Sequence, residues 1–247
     1  MRRALPSVLC LLGAVLLTGC LSEQERMLRR LGPAAEITTA SMKNLGWGQL
    51  GEGIEEARFT AVVTTWDDEQ RSYTDRQEMV VDLEDGWIES VGGTPQGSWE
   101  ATATDTGRFR IQADRAVDEE KVEQRIASAL HTLLHRLRGP YNLLVTDERA
   151  RTAEKTRIDG QPVVRVGVEG DNRMAVAYYF DAALGVLKFV TTGADHPGGS
   201  GTVTVYEYDS LPNGVLFPRR IRVMKLGQHV VVGNTPVLEV QISNVEL

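Results

Sequence analysis

Cysteine and aromatic residues are scarce in this chain of 247 residues, and basic residues are outnumbered by acidic ones. It has two cysteines, 6% aromatic residues and a formal net charge of −7. The charged residues are scattered rather than clustered, and an acidic chain without a basic stripe argues against nucleic acid as a partner. After the first twenty positions, no apolar run approaches the roughly 20 residues that a membrane-spanning helix needs.

A metal-ligand spacing is present but incomplete. His131 and His135 are four residues apart on a predicted helix, so they share one face. The metalloprotease motif requires Glu after the first histidine, where this chain has Thr132, and no third ligand is suggested nearby. We therefore expect two imidazoles on a helix surface and no metal.

Two other segments match the residue types of a functional motif but lack the surrounding structure that the motif requires. Residues Gly46–Gly51 match the dinucleotide fingerprint, but no strand is predicted before them and no helix after them. Residues Asp195–Gly201 contain Asp, His and Ser on a glycine-rich loop, whereas a catalytic triad needs a rigid scaffold. The sequence therefore predicts no cofactor and no enzymatic activity.

What the chain does have is a distinctive first segment of twenty residues. Two arginines precede an apolar run over residues 4–17, which is typical of a secretory signal. The run ends in Leu17-Thr18-Gly19-Cys20, which resembles the lipobox of bacterial lipoproteins. That resemblance implies a signal peptide over residues 1–19 and a lipidated Cys20, anchored in the membrane by two or more acyl chains such as palmitate.

The same resemblance implies a location. In enteric lipoproteins an Asp after the lipidated cysteine favours the inner membrane, whereas Leu21 follows Cys20 here. We therefore expect a lipid-anchored protein of the cell envelope, held at the outer membrane and facing the periplasm. Cys10 is lost with the signal peptide, so the mature chain has no free thiol and cannot form a disulfide.

Residues 20–57 are predicted to connect this anchor to the folded domain. Residues 22–31 have apolar positions at helical spacing and are followed by Gly32-Pro33, which predicts a short helix. Residues 34–56 are small and rich in glycine, so they form either a tether or a loosely packed segment with some helix.

The domain itself, residues 58–247, has the pattern of an antiparallel β-protein with one helix. Short β-branched and aromatic runs alternate with turn residues such as Asp159-Gly160, which predicts about ten or eleven strands. Residues 118–138 instead carry one apolar stripe at three- and four-residue steps, with acidic residues first and basic residues last. Because a sheet of this size has to curl to cover its apolar face, we predict a mainly β fold: a curved antiparallel sheet or open half-barrel with one internal amphipathic helix as plug or lid.

Several segments in the second half of the chain carry a family resemblance. They are Arg157–Val164, Tyr178–Asp181 with Leu184–Lys188, and Tyr206–Asp209 with Gly214–Ile221. Their turn and strand patterns resemble those of the lipoprotein-localisation carrier superfamily, which includes the carrier LolA and the receptor LolB. The resemblance implies an open half-barrel whose helices cover an apolar cavity.

Apolar residues that alternate along the strands are the candidates for lining such a cavity. They either line a space for a ligand or fill that space as a core. Together with the helix stripe, the candidates are Phe59, Val63, Met79, Val81, Val164, Val166, Leu187, Phe189, Ile126, Leu130 and Leu133.

Two functions are consistent with this fold. The first is a non-catalytic protein that holds a lipid or acyl chain, or the lipid of a lipoprotein, beneath a movable helix. The alternative is a protein-interaction or regulatory module that binds an exposed segment of an envelope protein partner. Neither function requires a cofactor.

Overall fold

The chain folds around one long antiparallel sheet. The computed structural model describes residues 35–45, 54–67, 69–95, 97–115, 117–139, 149–158, 160–169, 175–193, 201–225 and 236–247. Within these ranges it has two helices and twelve strands. The helices are α1 (Ala35–Asn44) and α2 (Glu119–Leu137), and the strands are β1 (Glu56–Trp66), β2 (Ser72–Asp82), β3 (Trp87–Thr94), β4 (Gly97–Thr104), β5 (Phe109–Ala113), β6 (Arg149–Ile158), β7 (Gln161–Glu169), β8 (Ala175–Asp181), β9 (Leu187–Gly193), β10 (Gly201–Ser210), β11 (Leu216–Lys225) and β12 (Pro236–Glu246).

The strand order is that of a meander folded back on itself. It runs β5-β4-β3-β2-β1-β12-β11-β10-β9-β8-β7-β6, and every neighbouring pair is antiparallel. Pairing of β1 with β12 joins the two halves, while β5 and β6 remain as open edges in the described part of the chain. The predicted open half-barrel is therefore confirmed. The expected count of ten or eleven strands is too low, since the described residues form twelve.

Helix α2 lies on one face of the sheet, which we call the concave face. Asp118 caps its N-terminus by accepting a hydrogen bond from the Lys121 N–H at 3.3 Å, and Glu119 and Glu120 complement the helix dipole in the first turn. Its apolar stripe is buried throughout, as the periodicity predicts. The stripe consists of Val122, Ile126, Ala129, Leu130, Leu133, Leu134 and Leu137.

The two ends of the sheet are built differently. The β1–β2 and β3–β4 turns lie at the end where α2 begins, which we call the mouth. The β2–β3, β4–β5, β8–β9 and β10–β11 turns lie at the opposite end, where α2 ends, which we call the base. Strand pairing therefore places the start of α2 at one opening of the half-barrel and its end at the other.

Arg138 ties the end of α2 to the turns at the base. Its Nε donates a hydrogen bond to the Leu83 carbonyl at 3.0 Å, and its Nη2 donates to the Glu84 carbonyl at 3.1 Å. Its Nη1 pairs with the carboxylate of Asp105 in the β4–β5 turn. Since Arg138 is only 5% exposed, the helix terminus is fixed by a buried guanidinium.

Helix α1 also packs at the base. Leu45 at its end is fully buried in the core, and its carbonyl accepts a hydrogen bond from the Leu216 N–H at 3.1 Å. The Asn44 side chain donates to the Leu184 carbonyl at 2.7 Å. Of the two alternatives for residues 34–56, the segment with some helix is therefore the one that residues 35–45 show, while residues 46–53 lie outside the described residues. The helix predicted over residues 22–31 lies outside the described residues.

Candidate functional site

The concave face brings most of the predicted cavity residues together. Nine of them are at most 4% exposed and belong to one core cluster that joins both halves of the sheet to α2. Their side chains fill this region as a packed core. The nine are Phe59, Val63, Met79, Val81, Val166, Leu187, Ile126, Leu130 and Leu133.

The other two candidates are placed differently. Val164 is half-buried and is not a member of that cluster. Strict alternation predicts Phe189 on the same face as Leu187, and that prediction is wrong. Tyr179 pairs with Phe189 while the next residue, Phe180, pairs with Leu187, so Lys188 is an extra residue in a β-bulge. The bulge turns Phe189 to the opposite face of the sheet.

That opposite face carries a second buried cluster, which the sequence analysis missed. The alternation of apolar and polar residues predicts that only one face of each strand lies in the core. Strands that are buried on both faces instead have nearly continuous apolar runs. The run Val176–Phe180 is a signal of this kind. The second cluster consists of Ile158, Val163, Ala177, Tyr179, Phe189, Val203, Val205 and Met224.

Open space in the described part of the molecule lies at the mouth, beside α2. A cleft of about 420 Å³ separates α2 from the ends of β10, β11 and β12. One wall is apolar and aromatic and the helix wall is polar. The lining residues include Trp66, Tyr73, Arg125, Ser128, Ala129, Thr132, Arg136, Thr202, Val223 and Leu238.

A second cleft of about 780 Å³ continues toward the β3–β4 turn. Tyr73 and Arg125 line both clefts and therefore stand between them. The Arg125 guanidinium lies 6.0 Å from the centre of the Tyr73 ring, and its Nη1 lies 4.0 Å from Asp75 Oδ2. This arrangement places a half-buried cation at the entrance to the space beside α2.

The two histidines on α2 lie near an aromatic ring and a cation: His131 is beside Phe109, and His135 is near Arg136. The His131 ring lies 6.3 Å from the ring of Phe109 on β5, in a tilted arrangement. Desolvation and the nearby Arg136 lower the pKa of His135. Within the described ranges, no three His, Cys, Asp or Glu side chains are grouped as a metal site. Cys20, Gly46–Gly51 and Asp195–Ser200 lie outside the described residues.

Two solved structures have the same architecture. A LolA superfamily protein from Nitrosomonas europaea is 9% identical to this chain, with a TM-score of 0.52 over 87% of this chain and 93% of that protein. A domain assigned to outer membrane lipoprotein sorting, from Vibrio parahaemolyticus, is 8% identical, with a TM-score of 0.51 over 86% and 92%. No protein-family model matches the sequence, and no curated protein is significantly similar to it. The described part of the chain therefore has a LolA-like fold.

None of the helices in the described ranges is long and apolar enough to cross a membrane. The longer of them, α2, turns its apolar stripe inward and its charged side chains outward. Its hydrophobic surface is therefore already used against the sheet.

Proposed function

We propose that the chain is a lipid-anchored protein of the cell envelope that binds a lipid or acyl chain between α2 and the concave face, without catalysis. The observation that carries the proposal is the construction of the interior. An open sheet supplies one wall, and the apolar stripe of a single helix supplies the other. If α2 moved as a unit, apolar contacts between its stripe and the sheet would be replaced by contacts with a ligand.

The cleft beside α2 marks the route of entry. On one side the helix packs against β3, β4 and β5, and on the other the 420 Å³ cleft separates it from β10–β12. Transfer of an acyl chain with about 14 methylenes from water is worth about 11 kcal/mol. Re-exposing the seven stripe residues would cost about 10–20 kcal/mol. We therefore expect α2 to tilt away from β10–β12 rather than to leave the sheet.

The anchor and the location are part of the same proposal. Lipidated Cys20 would hold the protein at the outer membrane, and the residues between it and α1 would connect it to the domain. A protein held at a membrane surface meets lipids and lipoproteins without diffusing through water, which favours a carrier or acceptor role.

The first test is chemical identification of the ligand. The full chain is purified from bacterial envelopes, and non-covalent lipids are extracted and measured by mass spectrometry. We expect a stoichiometric acyl ligand in the wild-type protein and a reduced amount in Ala129→Phe, because Ala129 lines the cleft. Ala127→Phe, on the same helix but not in the cleft lining, is the matched control. A folded wild-type protein that yields no lipid would contradict the proposal.

The second candidate function is recognition of a protein segment by strand addition. The observation that favours it is the pair of open edges, β5 and β6. Unpaired N–H and C=O groups of an edge strand accept an extended peptide, although the exposed charges of Glu154, Lys155 and Arg157 on β6 disfavour indiscriminate pairing. A protein crosslinked to either edge in intact envelopes, together with absence of bound lipid, would favour this function over lipid binding.

A further inference from the structure

The cleft beside α2 has a charge pattern that specifies its ligand more closely. We infer that it binds the anionic head group of an amphiphile, with Arg136 holding its phosphate or carboxylate and Arg125 adding positive charge at the entrance. The inference rests on the proposed function and names the substrate class for the same site. It is based on the hydrogen bonds and ion pairs that these two arginines make, and on those that they do not make, in the described part of the molecule.

Arg136 is the central observation. It is half-buried in the last turn of α2 and lines the cleft. Its Nε is fully buried without a hydrogen-bond partner, and among the described residues its guanidinium is in no ion pair. A partly buried charge is commonly paired, so this half-buried guanidinium at the cleft surface is available to an anion that comes from outside the chain.

Arg125, three turns before Arg136 on α2, also has few partners. Its Nε is also buried without a partner, and its only ion pair among the described residues is the long 4.0 Å contact with Asp75. Eleven residues separate it from Arg136, so the two lie on nearly the same helix face, about 16 Å apart along the axis. Because helical side chains point toward the N-terminus, the Arg136 guanidinium reaches back toward the middle of the cleft.

Acidic side chains do not neutralise this cleft. Among the described residues that line the cleft, the only carboxylate is Asp67, and it is already paired with Arg71 at 2.7 Å. The lining is therefore positive in a chain whose formal net charge is −7. A local excess of cations in an acidic protein points to an anionic ligand.

The remaining lining residues fit a head group joined to an apolar tail. A guanidinium donates two parallel hydrogen bonds to a phosphate or carboxylate. Hydroxyl groups of Ser128 and Thr132 lie on the helix between the two arginines and supply further donors. Apolar side chains such as Val223 and Leu238 form the facing wall, where the first methylenes of an acyl chain would lie.

The test compares two lipids that differ only in the head group. Fluorescently labelled phosphatidylglycerol and labelled diacylglycerol are titrated separately into the full chain in a non-ionic detergent, and binding is followed by anisotropy. We expect phosphatidylglycerol to bind more tightly. Arg136→Gln should weaken its binding by about tenfold or more, the effect of losing a charge-assisted hydrogen bond, and should leave diacylglycerol unchanged. Arg110→Gln, an exposed arginine on β5, is the control of equal charge.

The outcomes separate the head-group inference from the proposed function. Equal binding of both lipids with no effect of Arg136→Gln would overturn the inference and leave acyl-chain binding in place. Failure of both lipids to bind a folded protein would overturn the proposed function itself. Displacement of phosphatidylglycerol by millimolar inorganic phosphate, with no contribution from the acyl chains, would identify a site for a free anion and so overturn the assignment to an amphiphile.

Discussion

At the scale of single residues, Arg138 has the largest structural role that the sequence alone does not predict. The helical periodicity predicts this arginine in the last turn of a helix, where a cation complements the dipole. In the structure it is buried and bonded to two carbonyls and to Asp105. Gly86 (φ +72°) makes room for it, because a Cβ there would lie 2.3 Å from the guanidinium.

Replacing this arginine should therefore be costly. Arg138→Met leaves the Asp105 carboxylate and the carbonyls of Leu83 and Glu84 without their partner, so we expect a loss of about 3 kcal/mol in unfolding free energy. Urea denaturation followed by circular dichroism measures it. Arg110→Met, at an exposed position, should change stability by less than about 0.5 kcal/mol. Equal effects of the two substitutions would show that the buried network contributes nothing.

Asp181, the last residue of β8, gives the stability of the fold a dependence on pH. Burial alone would raise its pKa, but hydrogen bonds from the N–H groups of Leu184 and Ala183, together with Lys188, hold the pKa below the usual 3.8. A carboxyl with a lowered folded-state pKa stabilises the protein above its unfolded-state pKa and loses that effect as the pH falls through the folded-state value.

Asp181→Asn should consequently destabilise the protein by about 1 kcal/mol at pH 7. The difference from wild type should begin to shrink as the pH falls below the unfolded-state pKa, and should be lost once the pH is below the folded-state pKa of Asp181, which lies under 3.8. Chemical denaturation at a series of pH values follows this difference, with the exposed Asp85→Asn as control. A difference that stays constant down to pH 2 would contradict the electrostatic origin.

At the scale of elements, periodicity predicts most of the framework. The stripe over residues 118–138 predicts α2 to within one residue at each end, because its period, caps and charges all agree. The β-branched runs and turn residues likewise predict the antiparallel sheet. Alternation fails at Lys188, where one extra residue reverses the face of Phe189, since a bulge depends on pairing with the neighbouring strand.

The β3–β4 hairpin shows how such pairing constrains a residue. Gly92 lies opposite Trp99, whose side chain is 2% exposed, and a Cβ on Gly92 would lie 2.2 Å from the indole ring. Gly92→Ala should destabilise the protein by about 1–3 kcal/mol, because the ring has to shift in a packed core. At Gly93 the nearest atom to an added Cβ is 3.9 Å away, so Gly93→Ala is the matched control. Equal melting temperatures for the two variants would contradict this packing.

At the scale of the whole molecule, the sequence predicts the kind of fold better than it locates the site. The open half-barrel follows from one amphipathic helix and many antiparallel strands. The cleft does not follow, because Arg136, Trp66 and Val223 come from elements far apart in the chain and meet only in the folded structure. The second apolar cluster is not predicted either, because burial of both faces of a strand depends on which elements cover each face.

These two clusters allow a direct test of where a ligand binds. The full chain is incubated with phosphatidylglycerol that carries a photoreactive diazirine at the end of one acyl chain, and labelled peptides are mapped by mass spectrometry. We expect labels on α2 and on the concave-face strands, near residues such as Leu130, Leu133 and Val166. Labels confined to the second cluster around Tyr179 and Phe189, or no labelling at all, would contradict the claim that α2 and the concave face enclose an acyl chain.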